Sequence, residues 1–231
     1  KSWLLLTVLG LIWGSTFIII ELALKGVTPF WLAAARISIA AVITNIIWFF
    51  SKKQLFQTQS KDWPTLIFSG VFATAAPFIA LSWGQQYVTS AFAGISMASV
   101  ALLVLPLSYL FVRSEKITTT TVLGIFCGFC GVFILLGPEV FMASNDAREK
   151  YGRLACLFAT FCYATSAVLT RRLPPIDPIG LAAVSLTSGA IFVIPAAWLI
   201  EGGPPIVSKQ TLFYLFILGI FPTAAATFLR I

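Results

Sequence analysis

Arg36 is the residue whose type and place most demand a chemical explanation. It stands two helical turns into the apolar run 29–50, and a guanidinium buried in such a run is costly and by default marks a functional position. Its planar fork of donors suits a carboxylate. Two roles are open: attracting the carboxylate of a bound molecule, or pairing with Glu21 across the hairpin that turns at Gly26. A second group lies upstream, where Gly10, Trp13, Gly14, Ser15 and Thr16 share one apolar run. The glycines are spaced G-x-x-x-G, which is read as a seam for a neighbouring helix. Trp13 sits mid-run, and a buried indole needs a partner for its N–H. Lining a cavity would provide one, and packing in a core is the alternative.

Trp83, Gln86 and Tyr87, followed by Thr89 and Ser90, combine aromatic faces with an amide. That suits a polar or aromatic small molecule and equally an interfacial belt. Ser96, Tyr163 and Thr165 complete the candidate binding set of Trp13, Thr16, Arg36, Trp83, Gln86, Tyr87, Ser96, Tyr163 and Thr165. Catalytic chemistry is poorly provided for. The chain has no histidine, which removes the commonest general base and metal ligand. Cys127 and Cys130 form a C-x-x-C, but an apolar run offers no basic neighbour to stabilise a thiolate, and they are read as small packing residues. Neither an enzyme activity nor a cofactor or metal is expected; a membrane-embedded enzyme would need a nucleophile–base pair or a metal cluster.

The elements that position these residues follow from composition. The 231-residue chain is 59% hydrophobic and 10% charged, against about 25% charged in soluble domains, so lipid is its solvent. The net charge of +7 is spread in short clusters between apolar runs, the pattern of membrane loops and not of a nucleic-acid groove. Eight runs are long enough to span: residues 3–24, 29–50, 63–83, 90–112, 118–136, 152–170, 178–200 and 211–231. Only helices satisfy the backbone of such segments without an edge, so the expected class is an all-α polytopic membrane protein. Pro77, Pro106, Pro195 and Pro222 fall inside the spans, where proline frees a carbonyl and kinks the helix.

A shift of 149 positions superposes the second half on the first. Gly70, Phe72, Thr74, Ala75 and Ala76 return as Gly219, Phe221, Thr223, Ala224 and Ala225. Pro29, Leu32 and Ala33 return as Pro178, Leu181 and Ala182, and Thr16 falls on Thr165. Arg36 maps to Ser185 and is not repeated. The shift puts span one on span six, an odd count, so the second unit enters the membrane inverted. Loop charges agree. Lys25 alone follows span one while Arg171 and Arg172 follow span six; Lys52, Lys53 and Lys61 follow span two while Lys209, near Glu201, follows span seven. Because lysine and arginine favour the cytoplasmic side, the N-terminus is expected inside. Residues 1–137 form the first five-helix unit and 152–231 the second. Copies of spans four and five are expected beyond Ile231, and a native N-terminus before Lys1.

Pro106, the turn Arg113, Ser114, Glu115, Lys116, Ile117 and Thr118, and the later glycines Gly124 and Gly131 resemble the repeat signature of the EamA transporters of the drug/metabolite transporter superfamily. Trp13 to Phe17 and the stretch from Pro29 to Arg36 are similar to that family's first two helices. The resemblance covers essentially the whole chain, although Ser114 replaces a usual glycine and Ile117 a usual leucine. It implies ten helices in two inverted five-helix repeats around a central cavity, and export of amino acids or other small metabolites. The expectation is therefore a multi-pass secondary transporter in the cell membrane, working by alternating access. Its partners are a small-molecule substrate and the bilayer, with no nucleic acid, and a homodimer is left open. A small-ion channel is the rival. Proton coupling has little support, because Glu21 is the only acidic residue in a span, so facilitated export or exchange suits the chain as well.

Overall fold

The protein is described by a computed structural model over residues 2–51, 60–111, 118–136, 146–174 and 176–225. Among these residues the ordered structure is helical throughout. The helices are α1 (Ser2–Ala23), α2 (Pro29–Phe50), α3 (Trp63–Ala73), α4 (Ala75–Gly84), α5 (Ser90–Ala98), α6 (Val100–Phe111), α7 (Thr119–Leu136), α8 (Ala147–Arg171), α9 (Pro178–Glu201) and α10 (Lys209–Gly219), the last continued by a π-turn, Ile220–Ala225. Five stretches are long and apolar enough to cross a bilayer: Pro29–Phe50, Trp63–Gly84, Ser90–Phe111, Ala147–Arg171 and Pro178–Glu201. Shorter apolar helices cover Thr7–Ala23 and Thr119–Leu135. The chain is an all-α polytopic membrane protein. Lys52, Lys53, Arg113, Ser114, Glu115, Lys116, Ile117 and residues 226–231 lie outside the described residues.

Two spans are broken where sequence read them as continuous. The third divides at Thr74, whose φ of −133° and ψ of −75° leave the helical region. Pro77 lies in the first turn of α4, where a missing N–H costs least, so the break falls just before it. The fourth divides at Ser99 into α5 and α6. The sixth span instead begins earlier than hydropathy suggests. Asp146 caps α8 by accepting from the Arg148 N–H at 2.8 Å, and Glu149 pairs with Arg153 one turn on. The polar first turns are helix but not membrane.

The centre of the bundle is the pair α2 and α9, which run antiparallel. At one end Glu201 grips the start of α2: its carboxylate accepts from the Thr28 hydroxyl at 2.5 Å and from the backbone N–H groups of Phe30 and Trp31 at 3.2 Å. A carboxylate there satisfies orphan donors and complements the helix dipole. Gly202 ends α9 with a φ of +80°, and its carbonyl accepts from the Trp31 indole at 3.1 Å. Trp198 packs edge-on to Trp31 with centroids 6.0 Å apart. Further along, Asn45 donates to the Thr187 hydroxyl at 2.9 Å.

The close approaches occur elsewhere than at the G-x-x-x-G pair. A Cβ on Gly10 or Gly14 would meet nothing within 4 Å, so that motif is no seam among the described residues. Gly70 is the seam: a Cβ there would lie 2.8 Å from the Ser185 Cα. Gly219 is another, with Ile39 at 2.7 Å and the Arg36 carbonyl at 3.3 Å. Cys127 and Cys130, read as packing residues, are exposed on α7 instead. Gly128 between them packs on Leu102 of α6.

Gly70→Ala must push α3 from the α9 backbone, and overpacking of this kind costs about 1–3 kcal/mol. Its thermal unfolding midpoint in detergent is expected to fall below wild type, while Gly10→Ala leaves it unchanged.

Candidate functional site

The third and eighth spans each carry a copy of the repeated G-x-F-x-T-A-A segment. Pro222 has no N–H, so the Leu218 carbonyl four residues earlier loses its helical donor. The Thr223 hydroxyl replaces it, donating to that carbonyl at 2.8 Å. In the first copy, Thr74 donates to the Gly70 carbonyl at 2.8 Å, with the Ser185 carbonyl 3.5 Å away. Each threonine thus closes a local break and leaves oxygen lone pairs at mid-depth.

Arg36 uses one of those oxygens. Its Nε donates to Thr223 Oγ1 at 2.9 Å, and its guanidinium carbon lies 3.8 Å from the centroid of the Phe78 ring. Glu21 is exposed, and of the two roles left open for Arg36 the ion pair with Glu21 does not form. Ile20 and Thr16 are the buried residues of that turn of α1, so Glu21 points away from the hairpin's inner face. Arg36 is 4% exposed, and no carboxylate pairs with it among the described residues. Placing an arginine at such depth costs about 2.5–3.5 kcal/mol on insertion scales. A hydrogen bond from a charged donor returns about 1.5–3 kcal/mol, and a desolvated cation–π contact about 2 kcal/mol. The cation is therefore tolerated without an anion.

The contacts obey the sequence offset. Gly70 with Ser185 corresponds to Gly219 with Arg36, and Thr74 with Ser185 to Thr223 with Arg36. In each pair the two members exchange halves, as an inverted two-fold relation requires.

A cavity of about 1280 Å³ lies over this seam, larger than the range of about 300–1,000 Å³ usual for small-molecule sites. Trp13, Thr16, Arg36 and Tyr163, four residues singled out in the sequence, line it. So do Thr74, Thr223, Ser185 and Phe78, which were not. Ser69, Ser166 and Thr170 add a chain of hydroxyls where α3 meets α8: Ser69 Oγ is 3.3 Å from Ser166 Oγ and 2.9 Å from Thr170 Oγ1. The signal for Thr74 and Thr223 was in the repeat, which marks them as paired positions. Ser69 and Phe78 carried no comparable mark.

The other five candidates are not among the residues lining the cavity. Trp83 and Tyr87 pack on each other, centroids 5.1 Å apart. Gln86 is exposed, whereas its neighbour Gln85 is buried and donates to the Phe17 carbonyl at 2.8 Å, tying α4 to α1. Ser96 and Thr165 hold buried hydroxyls without a partner, and the Ser96 carbonyl accepts from Thr160 at 3.0 Å. No group of three potential metal ligands occurs among the described residues.

The EamA-like transporter family profile matches residues 1–137 and 150–230. The chain belongs to that family. Two relatives from Archaeoglobus fulgidus, each described as an uncharacterized transporter, are similar to it. One is 30% identical over 227 residues, covering 94% of this chain and 75% of the relative. The other is 26% identical over 196 residues, covering 84% and 67%. The uncharacterized transporter YoaV of Bacillus subtilis is 25% identical, covering 84% of this chain and 65% of that protein. The chain thus spans about two thirds of the length of some of these relatives. A solved crystal structure matches with a TM-score of 0.67 at 19% identity, over 96% of this chain and 77% of that one, a likeness of fold. The chain is thus an EamA membrane transporter whose largely apolar cavity carries one charged residue, Arg36, among the described residues.

Thr223→Val keeps the shape but removes both the donor to Leu218 and the acceptor for Arg36. Leaving such groups buried and unpaired costs about 1–3 kcal/mol each, so the variant is expected to unfold at a clearly lower temperature than wild type, with Thr223→Ser close to wild type.

Proposed function

We propose that this protein is a secondary transporter that exports a small metabolite, an amino acid or a related compound, by alternating access. The observation that carries the proposal is the cavity over the α2–α9 seam, lined from both halves of a chain whose contacts obey an inverted offset. Inverted repeats rocking about a mid-membrane site are a common design for such carriers. In this reading residues 1–137 and 152–231 are the two units, and Trp13, Thr16, Arg36 and Tyr163 contact the substrate. The broken helices at Thr74 and Thr223 supply backbone and hydroxyl groups for it at the same depth.

The loop charges favour a cytoplasmic N-terminus in the cell membrane. The Glu201 grip then lies on the outer face and holds α2 to α9 there. None of the described lining residues is acidic, which supports facilitated export or exchange over a buried proton relay.

In inverted vesicles carrying the full-length protein, labelled amino acids are expected to enter with saturable kinetics and to be displaced by unlabelled substrate. Uptake is expected without an imposed pH gradient, and Trp13→Ala should abolish it while the protein stays in the membrane. Flux linear in concentration would mean a channel and would overturn the reading.

A further inference from the structure

Arg36 keeps binding capacity that the fold does not use. Its Nε is committed to Thr223 and one face of the guanidinium to Phe78. Its two terminal nitrogens have no partner among the described residues, yet the side chain borders the cavity. Terminal guanidinium nitrogens are the edge that takes a carboxylate bidentately. The Thr223 and Phe78 contacts fix the plane of the guanidinium, so that edge is presented without further loss of freedom.

Charge around it is one-sided. Arg36 is the single charged residue among the described lining, and no carboxylate faces it there. Hydroxyls of Thr16, Ser185 and Tyr163 supply neutral polarity, and Trp13, Phe17 and Met97 supply apolar surface. In a site of low dielectric one cation balances one negative charge. A dianion keeps an excess charge, and an ammonium finds no anion and meets a like charge.

We propose that the cavity selects a small organic monoanion, its carboxylate on the Arg36 terminal nitrogens and its apolar body against Trp13, Phe17 and Met97. This deepens, and rests on, the transporter reading above. It separates the preferred substrate from amines and from compounds with two negative charges, and it ranks a blocked amino acid above the free zwitterion.

The test is a charge series of one shape: N-acetyl-leucine as monoanion, leucine as zwitterion, N-acetyl-leucinamide as neutral compound and leucinamide as cation. Each is titrated against the full-length protein in detergent, with its thermal stabilisation as the readout, and each competes for uptake in proteoliposomes. N-acetyl-leucine is expected to act at a concentration at least about tenfold lower than the neutral or cationic members. Arg36→Gln should erase that preference, and Arg36→Lys should retain part of it. Equal effects across the wild-type series, or stronger effects from leucinamide, would overturn the proposal whether or not the variants fold. Saturable uptake of a cation would overturn it too, while leaving the transporter reading intact. Linear flux would instead overturn the transporter reading itself.

Discussion

Hydrocarbon forms no hydrogen bonds, so any backbone group released inside the bilayer must find its partner within the protein. That constraint organises this molecule. Pro222 releases the Leu218 carbonyl and the Thr223 hydroxyl takes it up. The third span breaks at Thr74, whose hydroxyl bonds the Gly70 carbonyl. A threonine that serves as donor to its own helix still has lone pairs, and these face inward. Part of the cavity's polarity is thus a by-product of these two repairs, and one of them offers the buried Arg36 an acceptor.

The repairs come as a pair because the seam is a pair. Gly70 lets α3 approach α9 at Ser185, and Gly219 lets α10 approach α2 at Arg36. Such small-residue seams allow backbones to touch where the hydrophobic effect supplies no force between helices. The equivalence is of contacts and not of chemistry. Glu201, which grips the start of α2, corresponds under the offset to Lys52, a residue that cannot accept a hydrogen bond. The grip therefore belongs to one end of the bundle.

Much of this was legible in the sequence, for reasons that differ by residue. Span positions follow from hydropathy, which measures depth, and the depth of Trp13, Thr16, Arg36 and Tyr163 was read well enough to place them at one cavity. Rotation about the helix axis was not legible. α1 is apolar nearly all round, and such a helix carries no periodic mark of its inner face. Glu21 was accordingly a candidate partner for Arg36 by height alone, although it points outward and Ile20 inward. The same ambiguity exchanged Gln86 for Gln85, since adjacent residues at a helix end share a depth and differ by about 100° in direction. The G-x-x-x-G of α1 stood out as a pattern, yet close contacts fall on other glycines, Gly70 and Gly219 of the repeated segment among them. The capping role of Glu201 was not legible, because two of its three partners are backbone N–H groups, which no residue type reveals.

The matched contacts of the two halves carry unlike side chains. Arg36 and Ser185 occupy matching positions on α2 and α9, each beside a glycine seam and a threonine. One brings a fixed charge and an aromatic partner in Phe78, the other only a hydroxyl. A symmetric frame lets two units exchange conformations at little difference in energy, because each arrangement repeats the contacts of the other. A symmetric lining would also bind a molecule in two opposed orientations and hold neither firmly. In the proposed carrier, the cation on one half alone gives a bound molecule a single preferred orientation whichever way the frame leans. The loss of repetition at Arg36 is what a carrier with matched halves needs if its cargo has a head and a tail.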